Sequence, residues 1–127
     1  MVWRYLVGAL IALHGLIHAI GFSATWRLGK ATVVSAAPTY PSGLATGATS
    51  VRVLGVLWVV AMVAFLAAAV GVVTVAPWWK GLAGGAAVLS LLLCLAWWND
   101  AKAGVVIDLL IVAGLVIATW VLRPAVV

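Results

Sequence analysis

The sequence predicts an all-α fold: an integral membrane four-helix transmembrane bundle with one long loop between helices 1 and 2. Composition is the first reason, because 68% of the 127 residues are hydrophobic and 7% are charged, whereas a soluble domain carries about 25% charged residues. The second reason is four long apolar stretches, at about residues 5–22, 53–75, 81–98 and 104–122. Each meets or approaches the roughly 20 residues that cross a bilayer. None alternates with the period of a barrel strand, so we expect helices in a single domain, residues 1–127.

The first stretch has the short basic start of a signal peptide, yet we predict that it is retained as a span. Cleavage after Ala24 would put Phe22 where a small residue is expected. The apolar run is also longer than the roughly 7–15 residues of a usual signal-peptide core.

The connections differ in length and composition. Residues 23–50 are rich in Ser, Thr, Gly and Pro and predict an irregular external loop, while the links around 77–80 and 99–102 are tight and make consecutive helices antiparallel neighbours. Four crossings place both termini on one side, opposite the long loop and the 99–102 turn. Three Lys or Arg residues then lie on the terminal side and four on the loop side, so the positive-inside rule favours neither orientation.

The charge pattern indicates which partners to expect. The net charge is +5, but the seven Lys and Arg residues are scattered singly near span ends, which suits lipid headgroups and no nucleic acid. The predicted partners are the lipid bilayer and other membrane subunits or a second copy of the chain. The single cysteine, Cys94, excludes an intramolecular disulfide and the exchange chemistry of paired cysteines.

Tryptophan pairs mark two span ends. Trp78, Trp79, Trp97 and Trp98 are predicted interfacial anchors, because the amphipathic indole ring prefers the headgroup level. Trp58 lies inside the second span and is either lipid-facing or a packing wedge.

Small residues recur at four-residue spacing along the spans, a pattern that lets helix backbones approach closely. The predicted helix-packing glycines are Gly8, Gly15, Gly81, Gly85 and Gly114.

Five polar side chains inside the spans form the candidate site. His14 and His18 lie one turn apart on the first helix, Ser90 and Cys94 one turn apart on the third, and Asp108 just inside the fourth. With boundaries near residues 22, 98 and 104, a rise of about 1.5 Å per residue puts His18, Cys94 and Asp108 about 6 Å deep. His14 and Ser90 then lie about one turn deeper. The matching depth predicts that His18 bonds Asp108, directly or through one water.

Several roles are open for this buried polar cluster. It could pin the first helix to the fourth, since buried polar groups must find partners, or it could be a proton relay or acid–base pair. A tetrapyrrole could use one histidine as a ligand, whereas a bis-His haem would need a second subunit. We predict no catalytic residue and no dedicated metal site, and Cys94 as a small inert packing residue.

Two segments carry a family resemblance. Residues 12–22, ALHGLIHAIGF, resemble the first span of DoxX-like membrane proteins, in which a His-Gly pair late in a helix precedes a Gly-Phe exit. Residues 97–104, WWNDAKAG, resemble the junction of helices 3 and 4 in small bacterial four-helix proteins. The resemblance implies a four-helix bundle in a bacterial cytoplasmic membrane. It also implies a link, in some members, to quinone or sulfur oxidation as a small oxidoreductase subunit.

Three functions follow from these features. The leading one is an accessory or scaffold subunit of a larger membrane complex without catalytic activity of its own, because the chain has few polar groups and no soluble domain. The first alternative is a redox or quinone-linked subunit in which His14, His18 and Asp108 form a proton or ligand site. The second is a small proton-coupled transporter, for which Asp108 would be the membrane carboxylate.

Overall fold

Four α-helices build the described part of the chain. The computed structural model describes residues 1–29, 34–39 and 47–121. The helices are α1 (Val2–Thr25), α2 (Ala48–Thr74), α3 (Trp79–Ala96) and α4 (Trp98–Val116), and α4 runs on into a π-helical turn, Ile117–Val121. All four are long and apolar enough to cross a membrane, and the described residues contain no strand. The predicted all-α four-helix architecture is confirmed.

The helix ends lie outside several predicted span boundaries. The stretch predicted as the 99–102 turn is instead the first turn of α4, and Trp97 alone separates α3 from α4. No Gly or Pro interrupts this stretch, and Asp100 in the first turn suits the positive end of the helix dipole. The backbone dihedral angles of Ala101 are non-helical, so α4 is kinked within the stretch predicted as a turn. The predicted end of the last span, Leu122, lies outside the described residues.

Glycines seat α1 against α2. A Cβ atom at Gly8 would lie 3.0 Å from Val73 Cγ2, and one at Gly15 would lie 2.8 Å from Phe65 Cβ. Further along, Gly21 lies against the indole ring of Trp58. The contacts run up α1 while they run down α2, so the two helices are antiparallel. The packing role predicted for Gly8 and Gly15 therefore holds within one chain.

The other predicted packing glycines are open. Nothing lies within 4 Å of a Cβ atom built on Gly81, Gly85 or Gly114 among the described residues. Among the described residues these three glycines therefore make no close helix contact, and their predicted role in helix packing stays a prediction. The close α3–α4 contact is made instead at Gly104, where a Cβ would lie 2.6 Å from the Cys94 sulfur.

Two apolar clusters fill the core, one toward each end of the bundle. The cluster nearer the termini contains Ile11, Phe65, Ala68, Ala69, Val72, Ala83, Ala86 and Ala87. The cluster nearer the long loop contains Trp58, Ala61, Leu93, Cys94, Ala96, Trp97 and Val105. Counting the partly buried residues packed against each cluster, the polar side chains of His14, His18, Ser90 and Asp108 lie between the two clusters along α1, α3 and α4. The bundle is thus an apolar–polar–apolar stack.

Residues 34–39 of the long connection pack on the α3–α4 junction. The Ser35 carbonyl accepts from Trp97 Nε1 at 2.8 Å, the Ser35 amide donates to Asp100 Oδ2 at 2.9 Å, and the Thr39 amide donates to the Ala96 carbonyl at 2.8 Å. The loop and the α3–α4 junction therefore lie at the same end, as predicted. The rest of the predicted loop, residues 30–33 and 40–46, lies outside the described residues.

The four predicted tryptophan anchors differ in exposure. Trp97 is 0% exposed, so its assignment as an interfacial anchor is wrong: its indole N–H has a backbone acceptor, and its ring stands edge-on to Trp58 at 5.5 Å. Trp78 and Trp98 are exposed and Trp79 is half-buried. The ammonium groups of Lys102 and Lys80 lie over the rings of Trp98 and Trp79, an arrangement suited to the interface. Trp58 is a packing wedge.

Candidate functional site

A buried polar network joins three of the four helices. α1 contributes His14 and His18, α3 contributes Ser90 and α4 contributes Asp108, and all four side chains are at least nine-tenths buried. His14 and His18 share one face of α1 with Ile11 and Gly21 because they are spaced three, four and seven residues apart. Asp108 lies near the middle of the span Trp98–Trp120. The network therefore sits deep inside the bundle.

Four hydrogen bonds hold the network together. His14 Nε2 lies 2.8 Å from Asp108 Oδ1, and Ser90 Oγ lies 2.6 Å from Asp108 Oδ2. His18 Nε2 lies 2.7 Å from the same Ser90 oxygen, and His18 Nδ1 donates to the His14 carbonyl at 2.9 Å. All four distances lie within the range for such bonds, and the Ser90–Asp108 distance is at the short end of it.

The direct histidine partner of Asp108 is His14 and not His18, which corrects the sequence-based pairing. The error lies in the helix ends. α1 runs three residues past Phe22 and α4 begins six residues before Gly104. Measured from the true ends, His14 lies about 16 Å along α1 and Asp108 about 15 Å along α4. His18 reaches the carboxylate only through Ser90.

All four bonds can form together only if the network holds one proton more than its neutral histidines and an ionised Asp108 supply. Each of the four bonds needs a hydrogen between its two atoms. A neutral His14, a neutral His18 and the Ser90 hydroxyl provide three. Without a fourth, one contact would have no hydrogen between its atoms: Ser90 Oγ with His18 Nε2, Ser90 Oγ with Asp108 Oδ2, or His18 Nδ1 with the His14 carbonyl oxygen. Two bare acceptors at this separation, buried, would repel each other.

The fourth proton has two places to reside. In one arrangement His18 carries both ring protons, Ser90 donates to Asp108, and the carboxylate is ionised. In the other, Asp108 carries the proton on Oδ2 and donates to Ser90, which donates to a neutral His18. Both arrangements use the same heavy-atom positions, and both leave the network without net charge. The proton can shift through Ser90 without any movement of the helices.

Aromatic rings fix both histidines. The Phe65 ring lies 4.9 Å from the His14 ring and 5.4 Å from the His18 ring, and Trp58 lies 5.3 Å from His18. Phe65 and Trp58 are almost fully buried, so the imidazoles have little freedom to turn. Sequence reasoning missed this role of Trp58, although its placement inside an apolar span was the signal.

Cys94 lies at the edge of the network. Its sulfur is 3.9 Å from Ser90 Oγ, and the thiol is free and buried. Its main packing partner is Gly104. The structure thus brings all five predicted cluster residues together, with Cys94 as a neighbour and the other four directly bonded.

A cavity of about 260 Å³ opens beside the network, between α1 and α4. We call it the α1–α4 cavity; its lining includes His14, His18, Trp58, Gly104 and Ile107. Among the described residues, no Cα atom of α1 lies within 8 Å of a Cα atom of α4, and this separation leaves room for the cavity. The hydrogen bond between His14 and Asp108 spans this gap.

The histidines are poorly placed to bind a metal or tetrapyrrole. Both ring nitrogens of His18 and Nε2 of His14 are already hydrogen-bonded, which leaves only His14 Nδ1 as a ligand atom. Among the described residues, no group of three His, Cys, Asp or Glu side chains could hold a metal ion. Within this network, His14 Nδ1 is therefore the one histidine atom left for the tetrapyrrole alternative.

Comparison with known proteins leaves the network and the cavity as the basis for inferring function. No protein-family model, curated protein or solved structure matches the chain.

Proposed function

We propose that this chain is a small accessory subunit of a membrane complex, whose buried network holds one exchangeable proton and shifts it between His18 and Asp108. The number of protons that the four bonds require carries the proposal. A purely structural pin needs no mobile proton, whereas complete bonding of this network gives one proton two positions, on His18 or on Asp108. A side chain that can hold or release a proton at fixed geometry is suited to acid–base work.

The route out of the network favours local acid–base chemistry over transport. One end is closed, since His18 Nδ1 donates to a carbonyl of its own helix. The other end is His14, which lines the α1–α4 cavity and is oriented by Asp108 as in a histidine–carboxylate pair. The proton is therefore exchanged with whatever occupies the cavity. A proton-coupled transporter would need a second exit on the opposite side.

The uncovered helix faces support a role as a subunit. Gly81, Gly85 and Gly114 are open, and Val105 and Asp108 are the only residues of α4 that are buried. Open small-residue faces allow the helices of a partner to pack closely. The resemblance to DoxX-like proteins supports a redox or quinone-linked complex in a bacterial cytoplasmic membrane as the setting.

Nitrogen NMR of the two histidines tests the relay. The chain contains only two histidines, so selective ¹⁵N-histidine labelling of protein in lipid bilayers gives four ring signals. We expect the signal of His18 Nε2 to lie between the protonated and unprotonated positions and to move with temperature, because the proton is shared. In Asp108→Asn the amide supplies the fourth hydrogen permanently, and the signal should become that of a fixed acceptor.

Ser90→Ala removes the bridge, and we expect it to abolish the sharing. Cys94→Ala is the matched control on the same helix, one turn away, and should leave the histidine spectrum unchanged. A parent spectrum that is independent of temperature and identical to that of Asp108→Asn would show a static network and contradict the relay.

A further inference from the structure

Another cavity lies at the loop end of the bundle, where α1 ends and α2 begins. Its volume is about 310 Å³, and its described lining includes Trp26, Arg27, Ala36, Ala48 and Arg52. We call it the arginine cavity, because two arginines line it. It shares no described lining residue with the α1–α4 cavity. The arginine cavity is therefore separate from the buried polar network.

Contacts between the end of α1 and the start of α2 place Trp26 and Arg52 together. Trp26 Nε1 donates to the Arg52 carbonyl at 3.2 Å. The guanidinium carbon of Arg52 lies 5.7 Å from the centre of the Trp26 ring. Gly55 allows the two helices to approach here, because a Cβ atom on it would lie 2.7 Å from the Trp26 ring. The guanidinium group of Arg52 is thus held beside the indole ring in the cavity wall.

Arg27 occupies a position where glycine is usual. Its amide donates to the Ala24 carbonyl at 3.2 Å. The Leu28 amide donates to the Ser23 carbonyl at 2.9 Å, which completes the Schellman pattern at the end of α1. Arg27 consequently has a φ of 54°, a left-handed conformation that glycine adopts without strain. The strained position carries a cationic side chain where the usual residue would have none.

No carboxylate lies in the described lining of the arginine cavity. The whole chain has two acidic residues, and both are engaged elsewhere. Asp108 belongs to the buried network, and Asp100 Oδ2 accepts from the Ser35 amide at 2.9 Å. Both arginine side chains are exposed. Two cationic side chains on one cavity without a carboxylate select an anion as the ligand.

The depth of the cavity selects the kind of anion. It lies at helix ends beside an exposed tryptophan, which is the level of the lipid headgroups. Phosphate is the anion of that level, and guanidinium groups bind it through paired hydrogen bonds. The start of α2 has no side-chain cap, so its free backbone N–H groups add donors at Ala48. A choline or ethanolamine headgroup would bring an ammonium against two arginines, whereas a glycerol headgroup would not.

We propose that the arginine cavity is a binding site for a phosphate group, with Arg27 and Arg52 as its ligands. An anionic phospholipid is the expected source, because the cavity lies at the headgroup level. The proposal goes beyond the proposed function, since neither arginine belongs to the buried network.

Native mass spectrometry of the full chain in mild detergent tests the site. We expect each chain to retain one phosphatidylglycerol molecule in an excess of phosphatidylcholine with the same acyl chains. Arg52→Gln should weaken phosphatidylglycerol binding about tenfold, the effect of one lost charged hydrogen bond. Lys102→Gln is the matched control and should bind as the parent does. The Lys102 ammonium also lies 5.7 Å from a tryptophan ring, but Lys102 is outside the described lining of the cavity.

Arg27→Gly separates binding from folding. Glycine relieves the left-handed strain at this position, so the fold should be at least as stable as that of the parent. Binding of phosphatidylglycerol should nevertheless weaken about tenfold, because a guanidinium group is lost.

Competition with inorganic phosphate identifies the source of the phosphate group. A lipid site should keep its phosphatidylglycerol in a large excess of inorganic phosphate, whereas displacement would assign the same site to free phosphate. Equal retention of the two lipids by the parent protein would overturn the proposal, and so would equal binding in Arg52→Gln and Lys102→Gln. The lipid comparison needs no variant, so it decides the matter if one misfolds. Lipid occupancy and histidine spectra are separate measurements, so the phosphate site and the relay can fail separately.

Discussion

Asp108 satisfies both a histidine and a serine while it lies wholly inside the bundle. Its two oxygens face different helices, Oδ1 toward His14 on α1 and Oδ2 toward Ser90 on α3. Because α1 and α4 have no close backbone approach, this side chain links helices that apolar packing leaves apart. Its replacement therefore separates the effect of hydrogen bonding from the effect of charge.

We expect Asp108→Asn and Asp108→Leu to differ sharply in stability. The asparagine amide accepts from His14 and donates to Ser90, so all four bonds survive with neutral histidines and the loss should stay below about 1 kcal/mol. Leucine leaves the buried His14 N–H without an acceptor, while Ser90 can still donate to His18, and the free energy of unfolding should fall by about 1–3 kcal/mol. Unfolding in mixed detergent, followed by circular dichroism, measures both. Equal losses would show that the bonds contribute nothing.

Trp97 provides a second test at the level of a single side chain. In Trp97→Phe the bond to the Ser35 carbonyl is lost and a small void remains beside Trp58, so we expect a loss of about 1–2 kcal/mol. Trp98→Phe is the adjacent control at an exposed ring and should change stability by less than about 0.5 kcal/mol. The same detergent titration compares them, and a larger loss for Trp98→Phe would reverse the burial assignment.

At the level of elements, glycines seat α1 against α2 and Gly104 seats α4 against α3, while other glycines of α3 and α4 lie on open faces. The glycines at 8, 15 and 21 meet α2 side chains or backbone, whereas those at 81, 85 and 114 meet nothing within 4 Å in the described part of the chain. One residue type therefore has two different structural contexts in one chain. The sequence spacing is the same in both, which explains why spacing alone could not separate them.

The same substitution should have opposite signs in these two contexts. Gly15→Ala places a methyl group against Phe65, and we expect the overpacking to lower stability by about 1–3 kcal/mol. Gly85→Ala adds a methyl group in open space within a helix, and should raise stability by about 0.5–1 kcal/mol. Thermal unfolding of both variants measures the difference. A loss at Gly85 in the isolated chain would indicate an unseen contact there.

On the scale of the whole molecule, the helices were predictable from the sequence, but the depths of their residues relative to one another were not. Hydropathy located four spans because lipid demands long apolar helices. The helix ends depend on residues at the interface. α4 already begins at Trp98 and includes Asp100, whereas hydropathy alone would begin it near Gly104. Because of this shift, the sequence predicted a bond between Asp108 and His18, whereas the structure has the bond between Asp108 and His14. The polar residues were found, since ionisable side chains are rare within spans, but their pairing required the packing.

The subunit role predicts an assembly larger than one 13.1 kDa chain after purification in mild detergent. Gly85→Leu and Gly114→Leu should split it, because each puts a bulky side chain on an open face that a partner helix would cover. Gly15→Leu is unsuitable for this purpose, since it would disrupt the α1–α2 contact inside the chain. Native mass measurement decides the matter. A monomeric parent, or variants of unchanged mass, would argue for a self-contained protein.

The position of Asp108 on the last helix has a consequence for biosynthesis. An aspartate at the centre of an isolated span costs about 2.5–3.5 kcal/mol on insertion. Its partners His14 and Ser90 lie on α1 and α3, which leave the ribosome before α4 does. We therefore expect α4 to insert less efficiently alone than behind the first three helices, as an insertion assay on α4 and on the full chain would show. The order of synthesis lets the costly carboxyl group enter the bilayer where its hydrogen-bond partners are already waiting.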